Sequence, residues 1–293
     1  MPRTVAIVQG RMGSSRLPGK VLLDIAGQPM LARVLSRARR ARTVDLVAVA
    51  TTIDPSDDPV AAWCAAHDTP VFRGDVFDVL DRYYQAARQF AAEIIVRLTA
   101  DCPVIDPELI NQTVSLLTVH HSLFTDHLNF SCNRLPPPWT RTFPIGLDVE
   151  VCTFAALERA WKEARGKHQR EHVMPYLYEG VVFSGERHPL NTEHGTLYTE
   201  HCSLDTGLSA HGFRIAQLHH DPDYGSLRWT VDTPEDLELM RRVYAHFGRD
   251  DFSWQDVLSL QQNQPEMFAV NAAVVHKTAF DVDERQKPIR STD

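Results

Sequence analysis

Residues 9–20, Gln-Gly-Arg-Met-Gly-Ser-Ser-Arg-Leu-Pro-Gly-Lys, place three glycines, three basic side chains and two serines directly after a short apolar run. Glycine turns at little steric cost and lets backbone N–H groups approach an anion closely. Gly10, Gly13 and Gly19 supply those turns, and Arg11, Arg16 and Lys20 supply cations. This combination suits binding of a phosphate chain, with Arg11 and Lys20 stabilising charge that builds on a leaving phosphate. Neither common phosphate cradle fits. A mononucleotide loop reads G-x-x-x-x-G-K-[ST], but five residues separate Gly13 from Gly19 and Val21 stands at the hydroxyl position. The dinucleotide pattern G-x-G-x-x-G does not match these glycines either. An exposed basic turn is the competing reading, and the coincidence of glycines with cations after a first strand argues against it.

A carboxylate provides the second cue. Asp101 follows Ile-Ile-Val-Arg-Leu-Thr and precedes Pro103 by two residues. At the carboxyl end of a buried strand its side chain would face a cleft, where magnesium takes a few carboxylates together with phosphate oxygens and water. A loop-turn role is the plainer alternative. His120, His121, His188, His194, His201, His219 and His220 lack helical i, i+4 spacing and a partner cysteine motif. They read as surface or hydrogen-bonded histidines. The five cysteines are scattered, without a C-x-x-C pair, which fits a reducing cytoplasm and offers neither a zinc site nor a disulfide framework.

Strands alternating with helices would position these groups. Thr4–Gln9 reads as a buried strand, and 29–41 as a helix with Met30, Leu31, Val34, Leu35 and Ala38 on one face. Strands follow at 44–52, 69–74 and 93–99, with helices from Asp57 or Asp58, over 75–91 and from Asp106. This rhythm implies a parallel sheet covered on both faces, with ligands at the carboxyl ends of its strands. After about residue 120 the pattern changes. A proline run and a hairpin span 127–152, helices cover 153–164 and 168–180, and strands dominate 181–231. Thr233, Pro234 and Asp236 form a capping-box signature for a helix over 233–247. A last helix covers 253–262, ahead of a poorly patterned tail.

The 293 residues can bury a full core, and 43% hydrophobic and 23% charged content are ordinary for a globular protein. The net charge of −8 argues against nucleic-acid or membrane-surface binding but leaves a small anionic substrate open. No stretch approaches the length of a membrane-spanning helix, and the start lacks a long apolar segment. A cytoplasmic protein is expected.

Several segments together carry a family resemblance: the loop and its flanks over 7–35, RLTADCPVIDP, GLDVEV, REHVMPYLY and RWTVDTPEDLELM. Over roughly residues 4–247 the chain resembles cytidylyltransferases of the spore-coat polysaccharide type, a group similar to the synthetases of CMP-KDO and CMP-sialic acid. The resemblance implies a fold like that of nucleotide-diphospho-sugar transferases, with a mostly parallel central sheet and a β-rich acceptor and dimerisation region. Residues 1–250 would be the transferase domain, with the nucleotide half at about 1–120 and the acceptor region at about 121–232, followed by a helix and flexible tail over 251–293. It further implies that Gly10, Gly13, Ser14 and Arg16 wrap the triphosphate, that Arg73 and Gly74 flank the nucleotide, and that Mg2+ sits on Asp101 and Asp232. Asp232 could instead merely help the Thr233 cap. Asp148 and Glu150 fall in the segment lining the acceptor pocket, where a structural role is an equal alternative. Asp78, Asp81 and Arg82 are read as either nucleotide-flanking or solvated. A homodimer is implied, with residues 127–180 reaching across and the prolines forming a stiff arm.

The function read from these features is transfer of CMP from CTP to a small anionic acceptor, an acidic sugar foremost, with release of pyrophosphate. A phosphonate or alditol phosphate is the nearest alternative acceptor. A metal-dependent glycosyltransferase and a nucleotide-binding regulatory module are the rivals from other classes.

Overall fold

The computed structural model describes residues 2–118, 127–190 and 201–275. β1 (Thr4–Gln9) is apolar from Val5 to Val8 and buried from Thr4 to Val8, as a strand covered on both faces must be. A small hairpin, β2 (Asp24–Ile25) and β3 (Gln28–Pro29), leads into α1 (Met30–Arg39). The remaining elements of the first 118 residues are β4 (Leu46–Thr52), α2 (Asp58–Ala66), β5 (Val71–Gly74), α3 (Val79–Gln89), β6 (Ile94–Thr99) and α4 (Pro107–Thr118). Then come β7 (Phe130–Cys132), β8 (Glu150–Thr153), α5 (Phe154–Glu163), α6 (Lys167–His172), α7 (Pro175–Tyr178), β9 (Val182–Phe183), β10 (His188–Pro189), β11 (Cys202–Leu208) and β12 (Arg214–His220). α8 (Pro234–Phe247), α9 (Trp254–Asn263) and α10 (Pro265–Phe268) close the chain.

One ten-stranded sheet runs in the order β10-β11-β12-β7-β8-β6-β1-β4-β5, with β9 paired to β11. It is parallel through β6-β1-β4-β5, the half that carries the glycine-rich loop. β8 enters antiparallel between β6 and β7, and β12 returns to a parallel pairing with β7. Two cores cover the faces: one under α1, α4, α8 and α9, the other under α3, α5 and α7.

The expected elements form, with boundaries adjusted by local chemistry. The helix expected from residue 75 begins at Val79, because Asp75 first closes a turn on the N–H groups of Phe77 and Asp78 and Asp78 then caps the helix. The stretch 168–180 is two short helices, since Val173 adopts a φ of 73° and Pro175 restarts the chain at a new first turn. The proline segment does not project. Gln217 donates to Thr140 O, the Tyr224 N–H to Thr142 O and the Trp139 indole to Val181 O, which lays the segment across the sheet. Strand structure in 181–231 ends at His220, and residues 221–231 return irregularly to the site. The chain beyond 262 also folds farther than its pattern suggests: Asn271 donates to Asp236 Oδ1 at 2.9 Å and to Arg228 O. His120, His121, His194 and the tail from 276 lie outside the described residues.

Candidate active site

The glycine-rich loop leaves β1 at Gly10, whose N–H donates to Ala50 O at 3.2 Å. A Cβ there would sit 3.0 Å from Ala100 Cβ, so the residue must be small where β1 and β6 end side by side. Met12 then fixes both ends of the loop. Its N–H donates to the buried Asp57 carboxylate at 2.6 Å, and its carbonyl accepts from Gly19 N–H at 2.9 Å. Gly19 has a φ of 72°, a conformation that favours glycine. Within the loop, Ser14 Oγ accepts from Leu17 N–H at 3.3 Å. Arg11 and Gly13 are half-buried on the loop.

Lys20 ends the loop and is buried. Its ammonium donates at 2.8 Å each to Asp101 Oδ2, Asp232 Oδ1 and Val231 O. Two such bonds to one nitrogen put the bonded carboxylate oxygens within twice that distance of each other, although the two residues stand 131 positions apart in the chain. Burial alone would lower the Lys20 pKa, but the two aspartates overcome it and raise the pKa above the ordinary value. Asp232 also faces Arg16 at 3.0 Å and Arg228 at 2.9 Å. Despite burial, these cations, Lys20 first, hold its carboxyl far below the usual range. Asp101 Oδ1 accepts from Thr99 Oγ1 at 2.6 Å. An oxygen cage that closes around one cation in this way is also chemically suited to Mg2+, with Lys20 as the stand-in charge.

Asp232 does not make the helix cap. Thr233 and Asp236 do so between them, and Asp236 additionally accepts from the Asp232 N–H and from Arg228. The segment reaches the site because Val231 N–H donates to Asp101 O at 2.8 Å and Trp229 N–H to Ile145 O at 2.7 Å.

Other expected residues are differently engaged. The Arg73 guanidinium bonds Thr52 O and Asp54 O and pairs with Asp58 at 2.7 Å, which turns it toward the β4–α2 connection. Gly74 is where Arg82 crosses the chain: a Cβ would lie 2.9 Å from Arg82 Cγ. Asp148 precedes β8 and is gripped by Arg134 and by both terminal nitrogens of Arg141, and Glu150 pairs with Arg97. Both carboxylates are therefore ion-paired, Glu150 almost wholly buried and Asp148 still partly exposed.

Arg82 is fully buried, not solvated. Its Nε and Nη2 hold Asp75 O at 3.0 and 2.6 Å, while Nη1 is buried without a partner among the described residues. Arg97, Arg134, Arg141 and Arg228 are not singled out by the sequence, and Asp57 reads there only as a helix start. A lone arginine inside the apolar run of β6 was the one available signal, for Arg97; the others depend on tertiary contacts.

A glycine-rich, cationic loop at the carboxyl end of a first parallel strand, ending in a lysine between two aspartates, fits a nucleotidyltransferase of the nucleotide-diphospho-sugar transferase fold. The chain belongs to the cytidylyltransferase family, whose model matches residues 5–206. A 3-deoxy-manno-octulosonate cytidylyltransferase of Anaeromyxobacter sp. (strain Fw109-5) is 43% identical, covering 85% of this chain and 100% of that protein. The spore coat polysaccharide biosynthesis protein SpsF of Bacillus subtilis is 28% identical over 89% of this chain and 94% of its own length. The solved cytidylyltransferase of Leptospira borgpetersenii superposes with a TM-score of 0.74 at 28% identity, covering 94% of this chain and all of that one.

Proposed function

We propose that the protein transfers CMP from CTP to an oxygen of an acidic sugar of the octulosonic or nonulosonic type and releases pyrophosphate. The product would serve surface polysaccharide or glycoconjugate synthesis in the cytoplasm. The acceptor oxygen attacks the α-phosphorus, the bond from that phosphorus to the β-phosphate bridge breaks, and the acceptor proton passes to solvent. Such an in-line displacement needs alignment and charge neutralisation more than a covalent nucleophile. The backbone amides and Ser14 of the loop would hold the triphosphate, with Arg11, Arg16 and Lys20 balancing charge on the departing pyrophosphate. Mg2+, held by Asp101 and Asp232, would supply Lewis-acid neutralisation of the phosphate oxygens. Lys20 would then turn from the aspartates toward the phosphates.

The observation that carries this reading is the Lys20 bridge between Asp101 and Asp232 at the mouth of the glycine-rich loop. The names of the relatives support the cytidylyl donor and a sugar-acid acceptor. The test is pyrophosphate release with each of the four nucleoside triphosphates against acidic sugars, sugar phosphates and phosphonates. CTP with an acidic sugar should give turnover, and silence across the panel from folded protein would refute the reading. Turnover of a nucleotide sugar without pyrophosphate would indicate a glycosyltransferase instead.

A further inference from the structure

On the α3/α5 side of the sheet, Phe130, Ile95, Cys152 and Ile215 form an apolar face. Toward the carboxyl end of β6 that same face turns polar. Strand register carries one row across five strands: Arg97 of β6, Glu150 of β8, Cys132 of β7, Gln217 of β12 and Asp205 of β11. One step nearer the phosphate loop lie Arg134 and Asp148, with Arg141 alongside Arg134 in a β-bridge. Burying charge is costly unless each group is paired. This floor is paired but not balanced: Arg97, Arg134 and Arg141 meet only Asp148 and Glu150, and Asp205 at the far end of the row is already taken by Arg187 and His219. Arg97 Nε is also buried without a partner among the described residues.

The arginines are not equally occupied. Arg141 spends both terminal nitrogens on the two oxygens of Asp148, at 2.8 and 3.0 Å. Arg134 spends only its Nε there, at 3.1 Å, and its terminal nitrogens make no bond to another described residue. A quarter of the Arg134 side chain stays open to solvent. The floor adjoins the site as well. Arg97 stands two residues before Thr99 on β6, and the Thr99 hydroxyl donates to Asp101 Oδ1 at 2.6 Å.

We propose that the terminal nitrogens of Arg134 bind the carboxylate of the acceptor, and that Asp148 and Arg141 are positioning residues that aim the fork. The inference rests on the transferase reading above and names the group that selects the acceptor. The planar two-nitrogen fork fits either anion, and a single excess positive charge balances the one charge of a carboxylate and not the two of a phosphate dianion. The acidic residues of this segment thus orient arginines and do not themselves meet the acceptor.

The experiment uses the full chain with CTP and magnesium. The probes are 3-deoxy-manno-octulosonate and a nine-carbon sialic acid as carboxylates, and glycerol 3-phosphate as the phosphate. Pyrophosphate release gives KM for each partner, calorimetry gives CTP binding, and melting reports folding. Carboxylate probes should turn over. Arg134→Ala should raise acceptor KM about 10- to 100-fold, the scale of a lost charge-assisted hydrogen bond, while KM for CTP stays put. Arg134→Lys keeps a charge beside Asp148 but not the fork; it should melt normally and still show the raised acceptor KM, which decides the matter should the alanine variant not fold. An unchanged acceptor KM in a folded variant, turnover of glycerol 3-phosphate alone, or CTP binding without turnover of either carboxylate overturns the inference. Failure of the wild type to bind CTP would instead overturn the transferase reading beneath it.

Discussion

At the scale of single residues, Lys20 occupies a less expected place than the loop around it. The sequence marks it as one of three loop cations, but burial between two carboxylates makes it structural as well. Lys20→Ala should lower turnover by about 100- to 1000-fold. It should also cost about 1–3 kcal/mol of stability, since the two aspartates would face each other without their shared cation. Magnesium should restore part of the melting temperature of this variant and do less for the wild type; a thermal-shift titration reads both. A pH effect arises at His219. Burial, helped by Arg187, pushes its imidazole down to about 4 from an ordinary 6.5, although Asp205 Oδ2 lies 3.0 Å away and pulls the other way. The folded pKa is depressed, so the unfolded chain binds the extra proton. Stability from this residue is complete above pH 6.5 and falls as pH drops toward 4. Denaturant melts of His219→Asn across that window should show a flatter decline than the wild type, and parallel declines would show that His219 is not the titrating group.

The element that matters most is the loop between β1 and the turn that follows Gly19, and what pins it is remote in sequence. Asp57 lies just before α2, is 2% exposed and accepts both the Met12 N–H and the Thr52 hydroxyl. Without that pin the loop amides lose their common orientation, and misplacement of about 1 Å costs transfer enzymes heavily. Asp57→Ala should therefore raise KM for CTP about tenfold or more with a smaller change in acceptor KM, while Asp57→Asn, whose one oxygen can accept from Met12 N–H while its amide donates to the Thr52 hydroxyl, recovers most of the loss. A variant that melts earlier but keeps both KM values would show that Asp57 serves only the start of α2. The same logic explains α8. Its capping box was readable because Thr233, Pro234 and Asp236 are local, but the cap also fixes Asp232 one residue upstream, beside Arg228 and Lys20.

For the whole molecule, no helix among the described residues is long and apolar enough to cross a membrane. A homodimer is the expected assembly, so light scattering should return about twice 33.1 kDa at micromolar concentration. Val182 and Leu208 pair across β9 and β11 and are 75% and 52% exposed, an apolar edge that a partner would cover. Val182→Arg should shift the equilibrium toward monomer, and an unchanged mass would place the contact elsewhere. The C-terminal helix does not behave as an appendage. Trp254 and Val257 enter the first core, and Arg37, wholly buried, donates to Phe252 O and Asp250 O.

The order of strands and helices in the nucleotide half was legible in the sequence, because burial on both faces writes continuous apolar runs and helices repeat their apolar positions every three or four residues. The phosphate loop was legible for a similar reason: its glycines and cations act locally, within twelve residues. The pairing of Asp101 with Asp232 was reached through resemblance alone, since nothing in either segment records that Val231 will hydrogen-bond to Asp101. Tertiary structure also decided which charges are spent on one another. Asp148, Glu150 and Arg73 have the composition of ligand-binding residues, yet each is engaged by side chains or carbonyls distant in the chain. Arg134 has no local distinction at all; only the register of β6, β8, β7 and β12 sets it on a charged floor beside the site. Charge partners of this kind depend on distance in space, which sequence spacing does not encode.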